Sequence, residues 1–224
     1  MNVKKDMILL SKSRTPRWQR RPEHRPDEIA AAALQVFSKR GLHQTTLDDI
    51  AKEAGVSKGT IYLYFKSKED LFVAAAQRVV PSPEEFKLEA PQVLTEDAVE
   101  KLLREVARTM YRRFCTPAYR AFFALMAAES LRHPEWGRLY FEKIVLAQNR
   151  RFAELFQHAA TMGVIRQFDP LLVARAFIGM FLTMALTQEH LGGKNLTPFS
   201  EKHVIDSLTD IFLHGVKLRK ETKT

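Results

Sequence analysis

Three helix starts and one sharp turn are packed into the stretch Thr45 to Phe72, TTLDDIAKEAGVSKGTIYLYFKSKEDLF, and few folds accommodate that arrangement. Thr46 stands three residues before Asp49, Ser57 precedes a short helical run, and Ser67 stands three residues before Asp70. Each hydroxyl is placed to accept from a free backbone N–H in a first turn, and the two aspartates are placed to answer back. Asp48-Asp49 and Glu69-Asp70 also put negative charge at the positive end of a helix dipole. Between the first two helices lies Ala54-Gly55-Val56. A glycine there takes the left-handed conformation that ends a helix, so the next one leaves at a steep angle. This is a helix-turn-helix.

The second helix of the pair, expected from Lys58 to Phe65, divides into two faces. Ile61 and Phe65 share the inward side, toward Ile50, Ala51 and Ala54. Lys58, Thr60, Tyr62 and Tyr64 are left outward, and Gly59 lets another backbone approach closely. A basic residue, a hydroxyl and two phenols around a gap suit a helix entering a major groove. Lys66 and Lys68 flank it as expected phosphate contacts.

The pattern resembles the DNA-binding domain of the TetR family of bacterial transcriptional regulators. The residues that carry it are Ala32, Phe37, Gly41, Thr45-Thr46, Asp49-Ile50-Ala51, Ala54-Gly55-Val56-Ser57, Lys58-Gly59-Thr60, Tyr62, Tyr64-Phe65 and Ser67-Lys68-Glu69-Asp70-Leu71. In its strong form the resemblance is confined to this reader. A softer one, to AcrR-like regulatory domains, lies in FFALMAAESLRHPEWGRLYFE. It implies an all-α fold, with an N-terminal three-helix helix-turn-helix domain and a larger C-terminal helical domain for ligand binding and dimerisation. The divisions expected are a basic arm over 1–25, the reader over 26–72 and the regulatory part over 73–224.

On that resemblance the DNA-contacting residues are Arg25, Thr45, Thr46, Ser57, Lys58, Gly59, Thr60, Tyr62, Tyr64 and Lys68. Thr46, Tyr62, Tyr64 and Lys68 are assigned mainly to phosphates, and Lys58 and Thr60 to base edges. The expected partner is a palindromic operator in double-stranded DNA, gripped by a homodimer. The last two long helices, Asp169–His190 and Ser200–Arg219, are expected to pair with their twins, with Ala174 and Gly179 permitting close approach. The ligand is expected to be small and mostly apolar, within reach of Met110, Phe114, Phe123, Met126, Trp136, Phe152, Phe156, Phe177 and Phe181. Met180 and Met184 belong to the same apolar set. Methionines and aromatics at helical spacing also build ordinary cores, so both readings of these positions stay open.

Charge bears on this only by placement. The chain carries +9 formally over 224 residues, which invites a nucleic-acid partner. About +6 of it lies in residues 1–25, whereas residues 26–72 come to about −1. The arm either reaches phosphates or a minor groove, or is a solvated tail. Its apolar run, Met7 to Leu10, is too short for a signal peptide.

Beyond Pro81–Pro91, a proline-rich linker, about five amphipathic helices are expected and no strand. Thr95, Pro117, Asp169-Pro170 and Ser200 mark helix starts. The apolar run Ala176–Leu186 is too short to span a bilayer and reads as a buried helix. A single cysteine rules out an internal disulfide and fits a cytoplasmic protein.

No enzyme, cofactor or metal motif emerges. The seven histidines show no zinc spacing, and Gly192-Gly193-Lys194 lacks the rest of a phosphate loop. Cys115, beside Arg112 and Arg113, is either a redox thiol or inert. Two rivals to a ligand-released repressor stay open. One is a dimeric DNA binder controlled by a protein partner, the other a helical enzyme or lipid carrier retaining the reader as a relic.

Overall fold

Helices in this protein begin where the sequence supplies an acceptor for their free N–H groups. The structure, a computed structural model, describes residues 24–80, Glu85 and 95–216. The basic arm up to residue 23, nearly all of the linker and residues 217–219 of the last predicted helix lie outside the described residues. The described elements are helical: α1 (Arg25–Arg40), α2 (Leu47–Ala54), α3 (Lys58–Tyr62), α4 (Lys68–Gln77), α5 (Glu96–Phe114), α6 (Pro117–Arg132), α7 (Pro134–Tyr140), α8 (Leu146–Thr161), α9 (Pro170–Ala185) and α10 (Glu201–Val216). Thr46, Ser57, Ser67, Thr95, Thr116 and Asp169 each accept from an N–H of the following first turn. Ser200 does the same for His203 at 3.2 Å. All but Thr116 were legible as helix starts, and there Pro117 marked the place.

Two π-helical segments interrupt the regular pattern. Phe141–Val145 joins α7 to α8 without a break, and Leu186–His190 extends α9. The last apolar helix therefore runs from Pro170 to His190, 21 residues, and by length and composition is enough to cross a membrane. This corrects the expectation of a run too short to span. In the fold the helix packs against α8, α5 and α10, and Val173, Ala174, Phe177, Ile178, Phe181 and Ala185 are buried on its inner side.

In the N-terminal part α1 lies across α2 and α4, burying the expected stripe of Ile29, Ala33, Val36 and Phe37. Phe72 of α4 then reaches across to the C-terminal part. Its ring centroid is 6.3 Å from Phe37, 6.2 Å from Phe122 of α6 and 5.3 Å from Trp136 of α7. Such edge-on and offset rings pack apolar area with favourable quadrupoles. The reader and the regulatory half thus share one core.

In the regulatory half α8 and α9 pack face to face, and α5 bridges α9 and α10. Phe177 sits 4.9 Å from Phe212, 5.2 Å from Phe181 and 6.1 Å from both Phe152 and Phe156. Arg104 pairs with Glu100 of its own helix at 2.8 Å and ties α5 to α10 through Asp206 at 3.2 Å.

Candidate nucleic-acid interface

The turn between α2 and α3 is built by Gly55, whose φ of 65° is left-handed. Its neighbour Val56 donates to Ala51 O at 3.0 Å, satisfying a carbonyl at the helix end. Thr46 and Asp49 form the reciprocal capping box on α2. At Ser67 the second half of the box is displaced by one residue, because Asp70 accepts from the N–H of Lys66 rather than of Ser67. Asp49 is held below the ordinary carboxylate range by the hydroxyl and N–H of Thr46, with Arg40 adding attraction.

The regular part of α3 is shorter than expected, ending at Tyr62. Tyr64 N–H turns to Ile61 O at 3.0 Å, a tightened last turn, and this swings Phe65 inward. Ile61 is fully buried, while Tyr62 is 53% and Tyr64 38% exposed. Ser57, Lys58 and Gly59 are exposed and Thr60 is partly so. A Cβ at Gly59 would meet only Ser57 Oγ, at 3.7 Å, so no packing inside the protein requires a glycine there.

Several expected contacts are already engaged. Lys58 Nζ pairs with Asp48 at 2.9 Å, and that carboxylate holds its ammonium above the usual lysine range. Ser57 Oγ accepts from Thr60 N–H at 3.1 Å and lies 2.8 Å from Thr60 Oγ1. Thr46 is exposed but shares its hydroxyl with Asp49. Arg25 is mostly covered and pairs with Glu28 at 2.9 Å.

Two of the expected contacts are held more firmly inside the protein. Thr45 is 2% exposed and donates to Gly41 O at 2.6 Å, so it braces the α1–α2 loop. Lys68 gives its ammonium to three backbone carbonyls, Leu42 at 2.9 Å, His43 at 3.1 Å and Thr45 at 3.1 Å, and lies 5.4 Å from the Trp136 ring centroid. An ammonium has three protons, so Lys68 is satisfied from within the protein, whereas Lys66 is exposed.

Sequence reasoning missed Glu129. This α6 carboxylate, 8% exposed, accepts from the N–H groups of Leu42 and His43 at 3.1 and 3.2 Å. With Lys68 it saturates the α1–α2 loop from both sides and ties the reader to α6. No local sequence signal marks a pair separated by 87 positions.

The expected ligand residues are mostly core. Met110, Phe114, Met126, Trp136, Phe152, Phe156, Phe177 and Phe181 are buried, and Phe123 is packed against them. Three cavities bounded by described residues hold about 440, 590 and 410 Å³, and of these nine side chains only Trp136 lines one of the three. Burial pushes the Cys115 thiol up to about 11. Its neighbours Arg112 and Arg113 pair with Glu201 and Glu85, which favours the inert reading of that thiol over the redox one.

Comparison with known proteins covers both halves. The profile of the bacterial regulatory proteins of the tetR family matches residues 29–75, and that of the C-terminal domain of AefR-like transcriptional repressors matches residues 101–215. The HTH-type transcriptional regulator YfiR of Bacillus subtilis is 30% identical over 167 residues, 70% of this chain and 77% of that one. The fatty acid metabolism regulator protein of the same organism is 48% identical over 56 residues, 25% of this chain and only 28% of its own length. Among solved structures, the flavonoid-responsive regulator FrrA shares 30% identity, with a TM-score of 0.62 over 88% of this chain and 99% of that one. FadR from Bacillus subtilis, in complex with stearoyl-CoA, shares the fold at 22% identity, TM-score 0.61, over 84% and 98%.

Proposed function

This chain belongs to the tetR family of bacterial regulatory proteins, and from that premise we propose that it is a dimeric repressor released from a palindromic operator by a small apolar effector. The observation that carries the reading is the split face of α3. Ile61 and Phe65 hold it to the core, while Lys58, Gly59, Tyr62 and Tyr64 stand open to solvent. A groove-reading helix needs that division. Lys58 must leave Asp48 to reach a base edge, so a poor base leaves it on the carboxylate and a good acceptor competes it away. Tyr62, Tyr64, Thr46 and Lys66 grip phosphates and set register. A DNA-bound regulator of this kind acts in the bacterial cytoplasm.

Dimerisation is supported by an unburied stripe on α9. Leu172, Ala176, Gly179 and Thr183 recur along one side, outside the buried face, and nothing lies within 4 Å of a Cβ at Gly179. Ile211 of α10 is 63% exposed. Ala174 is fully buried against the chain's own core and is no part of that surface. Two copies joined through α9 and α10 place two α3 helices in successive major grooves, about 34 Å apart. The effector works by preferring the geometry that does not fit that spacing.

The effector class is supported by the crowding of methionine and aromatic side chains in the regulatory half and by likeness to a flavonoid-responsive regulator. A second reading, control by a protein partner, draws on the close ring contacts of Phe177, which leave an effector to part the rings before it enters. Titrating the full chain onto labelled duplex from upstream of its own reading frame tests the DNA reading. Binding should fall steeply with salt and involve two chains per operator. Salt-insensitive or sequence-blind binding would overturn it. Thermal shift against flavonoid and acyl compounds separates the two forms of control, since a true effector raises stability by mass action.

A further inference from the structure

At the junction of reader and regulatory half, His43 from the α1–α2 loop lies against His133, the residue between α6 and α7. Their rings are stacked, with centroids 4.1 Å apart and planes 7° off parallel. His133 Nδ1 is 3.6 Å from the Glu135 carboxylate at the head of α7. One ligand atom from each of these three side chains lies within 4.8 Å of the other two. Positions so far apart in sequence make no metal motif, which is why spacing alone revealed none.

We propose that His43, His133 and Glu135 form a site for a divalent transition metal of the zinc class, which links the reader to the regulatory half. Two imidazole nitrogens and one carboxylate oxygen are a donor set that zinc accepts, with a fourth position left to water. Magnesium and calcium demand oxygen donors, and Cu(I) prefers sulfur, so the set selects against them. Metal–ligand bonds of about 2.0–2.1 Å put tetrahedral donors about 3.4 Å apart. The three donors must therefore close by roughly an ångström, and the two imidazoles must tilt out of their near-parallel stack, because each binds a metal through a lone pair in its own ring plane. Side-chain torsions supply both movements at a partly open site. Access exists, because His43 and Glu135 are exposed and both line the cavity of about 440 Å³ beside Lys68 and Trp136.

The position gives the metal a consequence. Glu129 and Lys68 already hold the main chain at Leu42 and His43. A metal drawing on the His43 side chain adds a third tie to the same loop and stiffens the angle at which α2 and α3 are presented.

The test uses the full-length protein stripped with a chelator and titrated with Co²⁺ and Zn²⁺. One Co²⁺ per chain should give the visible bands of a four-coordinate site, and Zn²⁺ should displace it and raise Tm. His43→Ala, His133→Ala and Glu135→Gln should each lose the bands and weaken Zn²⁺ at least about tenfold. His158→Ala and His203→Ala should change neither. Glu135→Gln nearly preserves shape, and melting each variant without metal shows that it is folded. Unchanged bands and affinity in His43→Ala and His133→Ala, or loss only in His203→Ala, would overturn the proposal. No readout involves DNA, so the outcome is independent of the operator.

Discussion

Gly59 is a position where the protein forgoes stability without an internal reason. Replacing glycine by alanine where the backbone tolerates it stabilises a protein by about 0.4–1 kcal/mol, and the space around the missing Cβ is open apart from Ser57 Oγ at 3.7 Å. Gly59→Ala should therefore leave Tm unchanged or raise it slightly while weakening operator binding. A fluorescence-anisotropy titration alongside a melt separates the two effects; equal DNA affinity would mean that no phosphodiester comes close there. Lys68 is the converse case. Its ammonium is shared among three carbonyls, and hydrogen bonds to a charged donor contribute about 1.5–3 kcal/mol. Lys68→Ala should lower denaturant stability by about that amount and leave the salt dependence of DNA binding intact. A stable variant whose slope drops by about 1 would return Lys68 to the phosphates.

Among the elements, α2 is where an acid effect within the reader is expected. Asp49 is held below the ordinary carboxylate range, first by Thr46 and then by Arg40. A carboxylate with a depressed folded value stabilises the fold above its unfolded value, and that contribution is lost as pH falls through the folded one. Urea midpoints taken from about pH 7 down to about pH 2.5 should show Asp49→Asn flattening the acid limb, since the unfolded value lies near 3.9. An unchanged limb would shift the effect to another carboxylate. The α6–α7 corner is constrained differently. A Cβ on Gly137 would sit 2.7 Å from Ser130 Cβ, so the crossing that brings Trp136 beneath Lys68 needs a residue without a side chain.

For the whole molecule, the proposed function turns on a surface that the single chain leaves uncovered. The α9 stripe around Gly179 is apolar or small and is left exposed or only partly covered by the described fold, with nothing within 4 Å of a Cβ at Gly179. Gly179→Arg fits a lone subunit, because the space is open, but a two-fold interface would receive the charge twice. The expected result is a folded monomer by analytical ultracentrifugation with little operator affinity. A dimer that persists would place the interface elsewhere. The hold of Glu129 on the α1–α2 loop, which Lys68 braces from within the reader, gives the regulatory half a direct connection to the reader, the kind through which a shift at one end biases the other.

The helix-turn-helix, nearly every helix start and the inward faces of α1 and α3 were legible in the chain, because caps, glycine turns and apolar periodicity act over a few residues. Thr46, Ser57, Ser67 and Gly55 do locally what their chemistry dictates. Tertiary structure alone decided that Lys68 faces carbonyls, that Thr45 is buried, that Glu129 holds the loop and that His43 meets His133. Apart from Thr45, whose burial is itself a matter of packing, those outcomes join residues many positions apart, and a side chain's partner over such a separation is chosen by packing, which no spacing rule encodes.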